Sequence, residues 1–229
     1  MDRRCSIQEV AARLESQQGP RYWRSSGDPV DELVGTILSQ HTSDVNTARA
    51  FASLRARFPT WQDVIEAPTG DVAGTIRCGG LADLKAPRIQ AALVAVRERF
   101  GALDLSELAG MSVAAGRAEL VALKGVGPKT ASCVLLFSLG LPAMPVDTHV
   151  HRVARRLGII EASETAESAH ALLEDALGEN RDEVYAFHMN VIAHGRTVCL
   201  ARRPRCERCV LTGCCDYFNH RGDWKRPPA

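Results

Sequence analysis

The feature that most constrains this chain is the spacing of its apolar residues, which recur every three or four positions almost from end to end. In VDELVGTILSQH, residues 30–41, Val30, Leu33, Val34, Ile37 and Leu38 fall on one helical face. Thr42, Ser43 and Asp44 offer caps for a following helix, which runs to about Phe58 and stops before Pro59. Further helical stretches read near 61–66, 70–77, 85–100, 113–122, 128–140, 148–157, 165–177 and 181–194. Glycine and proline punctuate the loops between them, in APTG, CGGL, GVGP and LPAMP. TVCL and CVLL are too short to suggest a sheet, so the expected class is all-α. No internal repeat or low-complexity linker interrupts the pattern, and RGDWKRPPA at the C-terminus reads as a flexible tail.

A chain of 229 residues can bury one substantial core or two modest ones. Hydrophobic residues at 45% and charged residues at 24% suit a globular protein and argue against intrinsic disorder. A net charge of +1 selects no class of partner, so a nucleic-acid binder would need a local basic face. No apolar run approaches the ~20 residues that span a bilayer, so no membrane association is expected. MDRRCSIQEVAARLESQQ is amphipathic and lacks the apolar centre of a secretion signal, which implies an intracellular, cytoplasmic protein. Eight cysteines are unusual there, because disulfides are rare in reducing compartments. Cys5, Cys78 and Cys133 are scattered and read as small buried thiols; the other five crowd between 199 and 215.

Gly125-Val126-Gly127 lies between an apolar helix end and a helix opening with Pro128, a favoured first-turn residue. Such a turn can serve as a simple joint between helices. It can also present the unpaired amides of the second helix to a phosphate. Lys129 favours the second reading, since a cation is poorly placed in a first turn. A lysine amine held there and partly shielded from water would be driven toward its neutral, nucleophilic form. Asp147, opening VDTHVHRV after Pro145, is an expected helix N-cap. A cap holds a carboxylate rigid and ionised, which equally suits it to stabilise positive charge developing on a substrate.

Cys199, Cys206, Cys209 and Cys215 are spaced C-x6-C-x2-C-x5-C. Four thiolates so close suit tetrahedral zinc or an iron–sulfur cluster, with ligand count alone leaning to zinc. Arg196, Arg202, Arg203, Arg205 and Arg208 fall within thirteen residues around them, opposed by Glu207. Tethered to a metal loop, they would make phosphate contacts; otherwise they form a solvated face. His149, His151 and His194 match no metal-site spacing and read as satisfied surface or core histidines.

LKGVGPKTA followed by VDTHVHRV resembles the helix-hairpin-helix and aspartate motifs of the endonuclease III family of DNA base-excision glycosylases. The likeness extends from about Asp28 to Phe218. It implies that Lys129 and Asp147 are the catalytic pair and that Cys199, Cys206, Cys209 and Cys215 hold a [4Fe–4S] cluster, the x5 gap selecting Cys215 over Cys214. ILSQHTSD resembles the segment that fills the gap left by a flipped base, a role assigned jointly to Gln40 and His41, with Leu81 entering from a second loop. Gly125, Val126, Gly127, Arg196, Arg202, Arg203 and Arg205 are accordingly the expected DNA contacts, and His194-Gly195-Arg196 resembles the family's run into the cluster. Lys124 stands where the family commonly has proline, and Pro128 where a basic residue is frequent.

The expected fold is therefore a two-lobed helix-hairpin-helix glycosylase. A helical-barrel domain spans 30–142, and a discontinuous domain of 1–29 with 143–229 carries the cluster loop, 199–215, with the DNA groove between them. The expected activity is removal of oxidised pyrimidines from duplex DNA with nicking of the abasic site by a monomeric, nucleoid-associated enzyme. A mismatch glycosylase, a dedicated abasic-site lyase and a non-catalytic DNA-binding module are the alternatives.

Overall fold

The structure, a computed structural model, describes residues 4–220; the C-terminal segment RGDWKRPPA lies outside the described residues. Among the described residues the regular elements are helical, with no strand. The α-helices are α1 (Ile7–Gln18), α2 (Pro29–Ser39), α3 (Asp44–Arg57), α4 (Trp61–Glu66), α5 (Thr69–Thr75), α6 (Ala82–Phe100), α7 (Val113–Val121), α8 (Pro128–Cys133), α9 (Thr148–Leu157), α10 (Ser168–Leu177), α11 (Arg181–Thr197) and α12 (Asp216–Asn219).

Side-chain caps explain where many of them begin. Asp28 accepts from the amides of Val30 and Asp31, ahead of Pro29 in the first turn of α2. Ser43 caps α3, Thr60 and Asp63 form a capping box at α4, Ser112 caps α7 and Asn180 caps α11. Three expectations shift, one of them the helix expected from 165, which begins at Ser168. The helix expected from 85 begins at Ala82, because Leu81 in a left-handed conformation ends the preceding loop. Pro87 in its second turn removes one donor only, toward the carbonyl of exposed Asp83. The helix expected over 128–140 is α-helical to Cys133 and then widens into a π-helical turn over Val134–Ser138.

The chain divides into two compact units, Arg24–Leu141 and Met1–Trp23 with Pro142–Ala229. In the first, α2 packs against α3, α6 and α8, and Leu33, Ile37, Leu54, Ile89, Leu93 and Leu135 are fully buried. Each such side chain contributes roughly 1.5–3 kcal/mol by leaving water. The segment before α2 is tied into this unit where Ser26 N donates to Phe137 O and Ser25 Oγ to Ser138 O. In the second unit α11 packs against α1, α9 and α10 around Val10, Leu14, Val150, Leu173, Val184 and Phe187.

Two cysteine expectations need correction. Cys78 is exposed, on the short turn that precedes α6. Cys5 is buried, yet it is no lone thiol: it is joined to Cys214 by a disulfide linking the chain near its start to the C-terminal loop. A sequence separation of 209 residues hid that pairing. Cys133 is a buried free thiol, as expected.

Candidate active site and metal centre

The hairpin in the Arg24–Leu141 unit is made by backbone conformation. Gly125 adopts φ +91°, which an L side chain takes only under strain, and reverses the chain after Leu123. Val126 turns its side chain inward, 5% exposed, and its amide donates to Leu123 O at 3.1 Å. Val126 therefore anchors the turn from within, while Gly125 and Gly127 are exposed. Gly127 caps α8 without a side chain, so the Lys129 and Thr130 amides of the first turn have no intrahelical acceptor.

Lys129 is half-buried in that turn. One turn further, Cys133 lies beneath it in a polar pocket, where the sequence suggests plain packing. Burial pushes the Cys133 thiol up; the Lys129 ammonium draws it back, and the Glu32 carboxylate adds to the rise. Thr36 closes the group by donating to Glu32 Oε1 at 3.0 Å. The four-residue spacing of Lys129 and Cys133 was the available signal, since such residues share a helix face.

Gln40 and His41 follow α2 in the same unit. Gln40 is half-buried and its Oε1 accepts from Arg88 at 3.4 Å, whereas His41 is exposed at φ 54°. Leu81 is 49% exposed at φ 50°.

Asp147 belongs to the other unit and is the N-cap of α9. Its Oδ1 accepts from the amides of His149 and Val150, both at 2.8 Å. Oδ2 has no hydrogen-bond partner among the described residues, so capping leaves one carboxylate oxygen for other work. The strand of chain leading to it is clamped from behind. His170 Nδ1 donates to Met144 O at 2.7 Å, His188 Nδ1 to Pro145 O at 3.0 Å, and Met144 N to Glu174 Oε1 at 2.7 Å. His149 and His151 are satisfied, by Arg152 and by Glu164 O.

Cys199, Cys206, Cys209 and Cys215 line one small cavity together with Arg156, His194 and Tyr217. Arg156 orders the loop: Nη1 donates to Leu200 O at 2.7 Å and to Cys199 Sγ at 3.3 Å, and Nη2 to Ala201 O at 3.0 Å. Its guanidinium lies 4.8 Å from the Tyr217 ring centroid. Arg152 Nε adds a bond to Cys199 O at 3.1 Å, joining α9 to the loop. Burial raises the Cys209 thiol and pushes Cys215 to about 11, so these groups become thiolates only against a strong positive charge.

His194 departs from its expected role as a satisfied histidine. It is 1% exposed, its Nδ1 has no partner among the described residues, and its Nε2 is 3.7 Å from Cys209 Sγ; burial lowers it to about 4. The orphaned nitrogen lies against the cysteine loop.

The cysteine spacing in three dimensions bears on the choice of metal. A zinc tetrahedron with Zn–S near 2.3 Å holds its sulfurs about 3.8 Å apart. Among the described residues, the metal-type donors grouped within 4.8 Å of one another are Cys5, Glu9 and Cys214, and no three of the four loop thiols are that close. Cys214 is committed to Cys5, leaving Cys215 facing the cavity. Cys199, Cys206, Cys209 and Cys215 together offer four thiols to one metal centre. Arg196, Arg202, Arg203, Arg205 and Arg208 are all exposed along this loop, with Arg205 Nη1 donating to Thr197 O at 3.3 Å.

The described residues thus combine a helical scaffold, a glycine hairpin with a lysine at the following helix and a four-cysteine loop, and the comparisons with known proteins identify the class as helix-hairpin-helix DNA repair proteins. Residues 34–179 match the family described as HhH-GPD superfamily base excision DNA repair protein. Endonuclease III of Thermotoga maritima is 34% identical over 220 residues, covering 94% of this chain and 95% of that one. A candidate DNA glycosylase of Arabidopsis thaliana is 49% identical over 129 residues, which span 56% of this chain but 44% of that protein. The solved structure of a trapped endonuclease III–DNA covalent intermediate superposes with a TM-score of 0.77 at 26% identity, over 95% of this chain and 99% of that one. The chain belongs to the endonuclease III family within the HhH-GPD superfamily, and as such it is a base-excision DNA glycosylase and abasic-site lyase.

Proposed function

We propose that this enzyme removes oxidised pyrimidines from duplex DNA and nicks the resulting abasic site, with Lys129 as nucleophile and Asp147 as its carboxylate partner. The observation that carries the reading is the pairing of roles at each residue. Lys129 projects from a hairpin whose amides suit phosphate, and Asp147 caps α9 with one oxygen while the other stays open.

The uncharged Lys129 amine attacks C1′ of the damaged nucleotide, and the glycosidic bond breaks as the base leaves with the electron pair and takes up a proton. Asp147 stabilises the positive charge on the sugar as that bond lengthens and assists the proton transfers. The C1′–O4′ bond then opens, the nitrogen lone pair forming the C=N bond while O4′ takes up a proton, and the resulting Schiff base acidifies C2′; loss of that proton expels the 3′ phosphate, and water releases the sugar fragment from Lys129. His41, Gln40 and Leu81 occupy the duplex gap, His41 being favoured over Gln40 because Arg88 engages the Gln40 amide. Gly125, Gly127 and the exposed arginines Arg196, Arg202, Arg203 and Arg205 hold the backbone, with Val126 shaping the hairpin.

Cys199, Cys206, Cys209 and Cys215 would hold a [4Fe–4S] cluster, a reading supported by their lining of one cavity and by the C-x6-C-x2-C-x5-C spacing. The cluster supplies a rigid anchor that orders the arginine loop. A nucleoid-associated location belongs to the same proposal; no helix among the described residues is long and apolar enough to cross a membrane.

The test is a panel of lesion duplexes incubated with and without borohydride. Thymine-glycol duplexes should be cut and yield a covalent adduct, and Lys129→Gln should bind them yet give neither product nor adduct. Cutting of abasic duplexes alone would reduce the enzyme to a dedicated lyase, and normal trapping in Lys129→Gln would remove that residue from the nucleophile's role.

A further inference from the structure

The charged residue buried most completely in the Arg24–Leu141 unit is outside every role assigned so far. Lys85 on α6 is 1% exposed, and no carboxylate among the described residues pairs with it. Its ammonium donates to two backbone carbonyls, Leu38 O at 2.7 Å and Gly79 O at 2.9 Å. A buried lysine without an acidic partner is costly, and burial lowers its pKa. A methionine would fill the same channel without that cost. The value of the lysine lies in what its two bonds hold together.

Leu38 is in the last turn of α2, where carbonyls lack intrahelical donors and the helix dipole favours a cation. Gln40 N bonds to Ile37 O, so Leu38 O falls to Lys85. Gly79 closes the short turn before α6 and is pressed against α3, where an added Cβ would come 2.9 Å from Ala50 Cβ. Both carbonyls are followed, within three residues, by a non-glycine residue at positive φ: His41 at 54° and Leu81 at 50°. Arg203 is the third such residue among those described. Conformations of this kind persist only where surrounding structure holds them. The Lys85 amide also donates to Leu81 O at 2.9 Å, and Arg88, three residues on along α6, takes the Gln40 side chain.

We propose that Lys85 is a positioning residue for base extrusion: its ammonium bolts the last turn of α2 to the Gly79–Leu81 turn, so that His41 and Leu81 enter DNA as one rigid wedge. The inference rests on the reading of those two residues as the gap fillers.

Lys85→Met separates this role from the chemistry at Lys129. A paired thymine-glycol lesion demands extrusion; the same lesion in an unpaired bulge does not. Misplacing the wedge should lower kcat/KM on the paired lesion by about 10²-fold. Activity on the bulged lesion should stay within about threefold, and Lys85→Arg should recover part of the paired activity. Equal losses on both substrates, or no loss on either, would overturn the role.

Wild-type inactivity on both lesions would instead sink the glycosylase reading. Amide exchange on the native protein then decides the bolt itself, as it also does if Lys85→Met does not fold. The segments 40–43 and 80–84 should open together, with one denaturant dependence. Independent opening of the two segments would refute the bolt.

Discussion

Asp147 carries two roles that one pair of substitutions can separate. Its Oδ1 satisfies two amides of α9 at 2.8 Å each, and removing such a cap costs about 1–2 kcal/mol. For a chain of 229 residues, each kcal/mol moves Tm by about 2–4 °C, so Asp147→Ala should lower it by about 2–8 °C. Asparagine caps as well as aspartate and presents the same acceptor oxygen. What Asp147→Asn loses is the charge at the N-terminus of α9, about 0.3–1 kcal/mol and at the low end for a side chain that is half-exposed. Its Tm should therefore fall by no more than about 4 °C. Catalysis should not respect that distinction. Both substitutions remove the carboxylate, and the loss of one transition-state group of this kind costs about 10²–10³-fold in turnover. Thermal unfolding followed by circular dichroism, beside single-turnover base release on a thymine-glycol duplex, reads both quantities. Turnover in Asp147→Asn within about threefold of wild type would refute the catalytic role. Equal Tm losses for the two variants would refute the account of the cap.

Three further outcomes are expected. Gly125→Ala forces an alanine into φ +91°, and the strain of about 1–2 kcal/mol should appear in urea unfolding; no change would mean that the hairpin relaxes freely. Replacing Arg202, Arg203 and Arg205 with alanine should weaken binding to damaged and undamaged duplexes alike and reduce the salt slope by about 0.9 for each phosphate no longer neutralised; an unchanged slope would make them a solvated face. The purified protein should be brown, with equal amounts of iron and acid-labile sulfide. Cys206→Ser should bleach it, and colourless protein containing zinc would overturn the cluster assignment.

Local chemistry explains why so much of the fold could be read early. Helix starts at Pro29, Asp44, Trp61, Val113 and Thr148 follow from caps within three residues of the positions they serve, and the hairpin follows from glycine at a positive φ. The Asp147 cap could be anticipated for the same reason. Boundaries slipped where the deciding contact was not local. The start of α6 follows Leu81 at φ 50°, two residues after the Gly79 carbonyl that accepts from Lys85, and the π-helical turn after Cys133 depends on how that segment packs in its unit.

The amino-acid order alone settled the helical class, the hairpin, the placement of Lys129 in the first turn of a helix and the four-cysteine spacing, because each is set by periodicity or by neighbours a few positions apart. Only the tertiary structure decided that Cys5 pairs with Cys214, that a buried His194 leans on the cysteine loop, that Lys129 and Glu32 act on the Cys133 thiol, and that Lys85 joins the last turn of α2 to the turn before α6. Most of those partners stand from 15 to 209 residues apart in the chain. Desolvation, not local propensity, selects them: a polar group leaving water must find whichever donor or acceptor the packed helices bring to it, and no short stretch of sequence records which one that is.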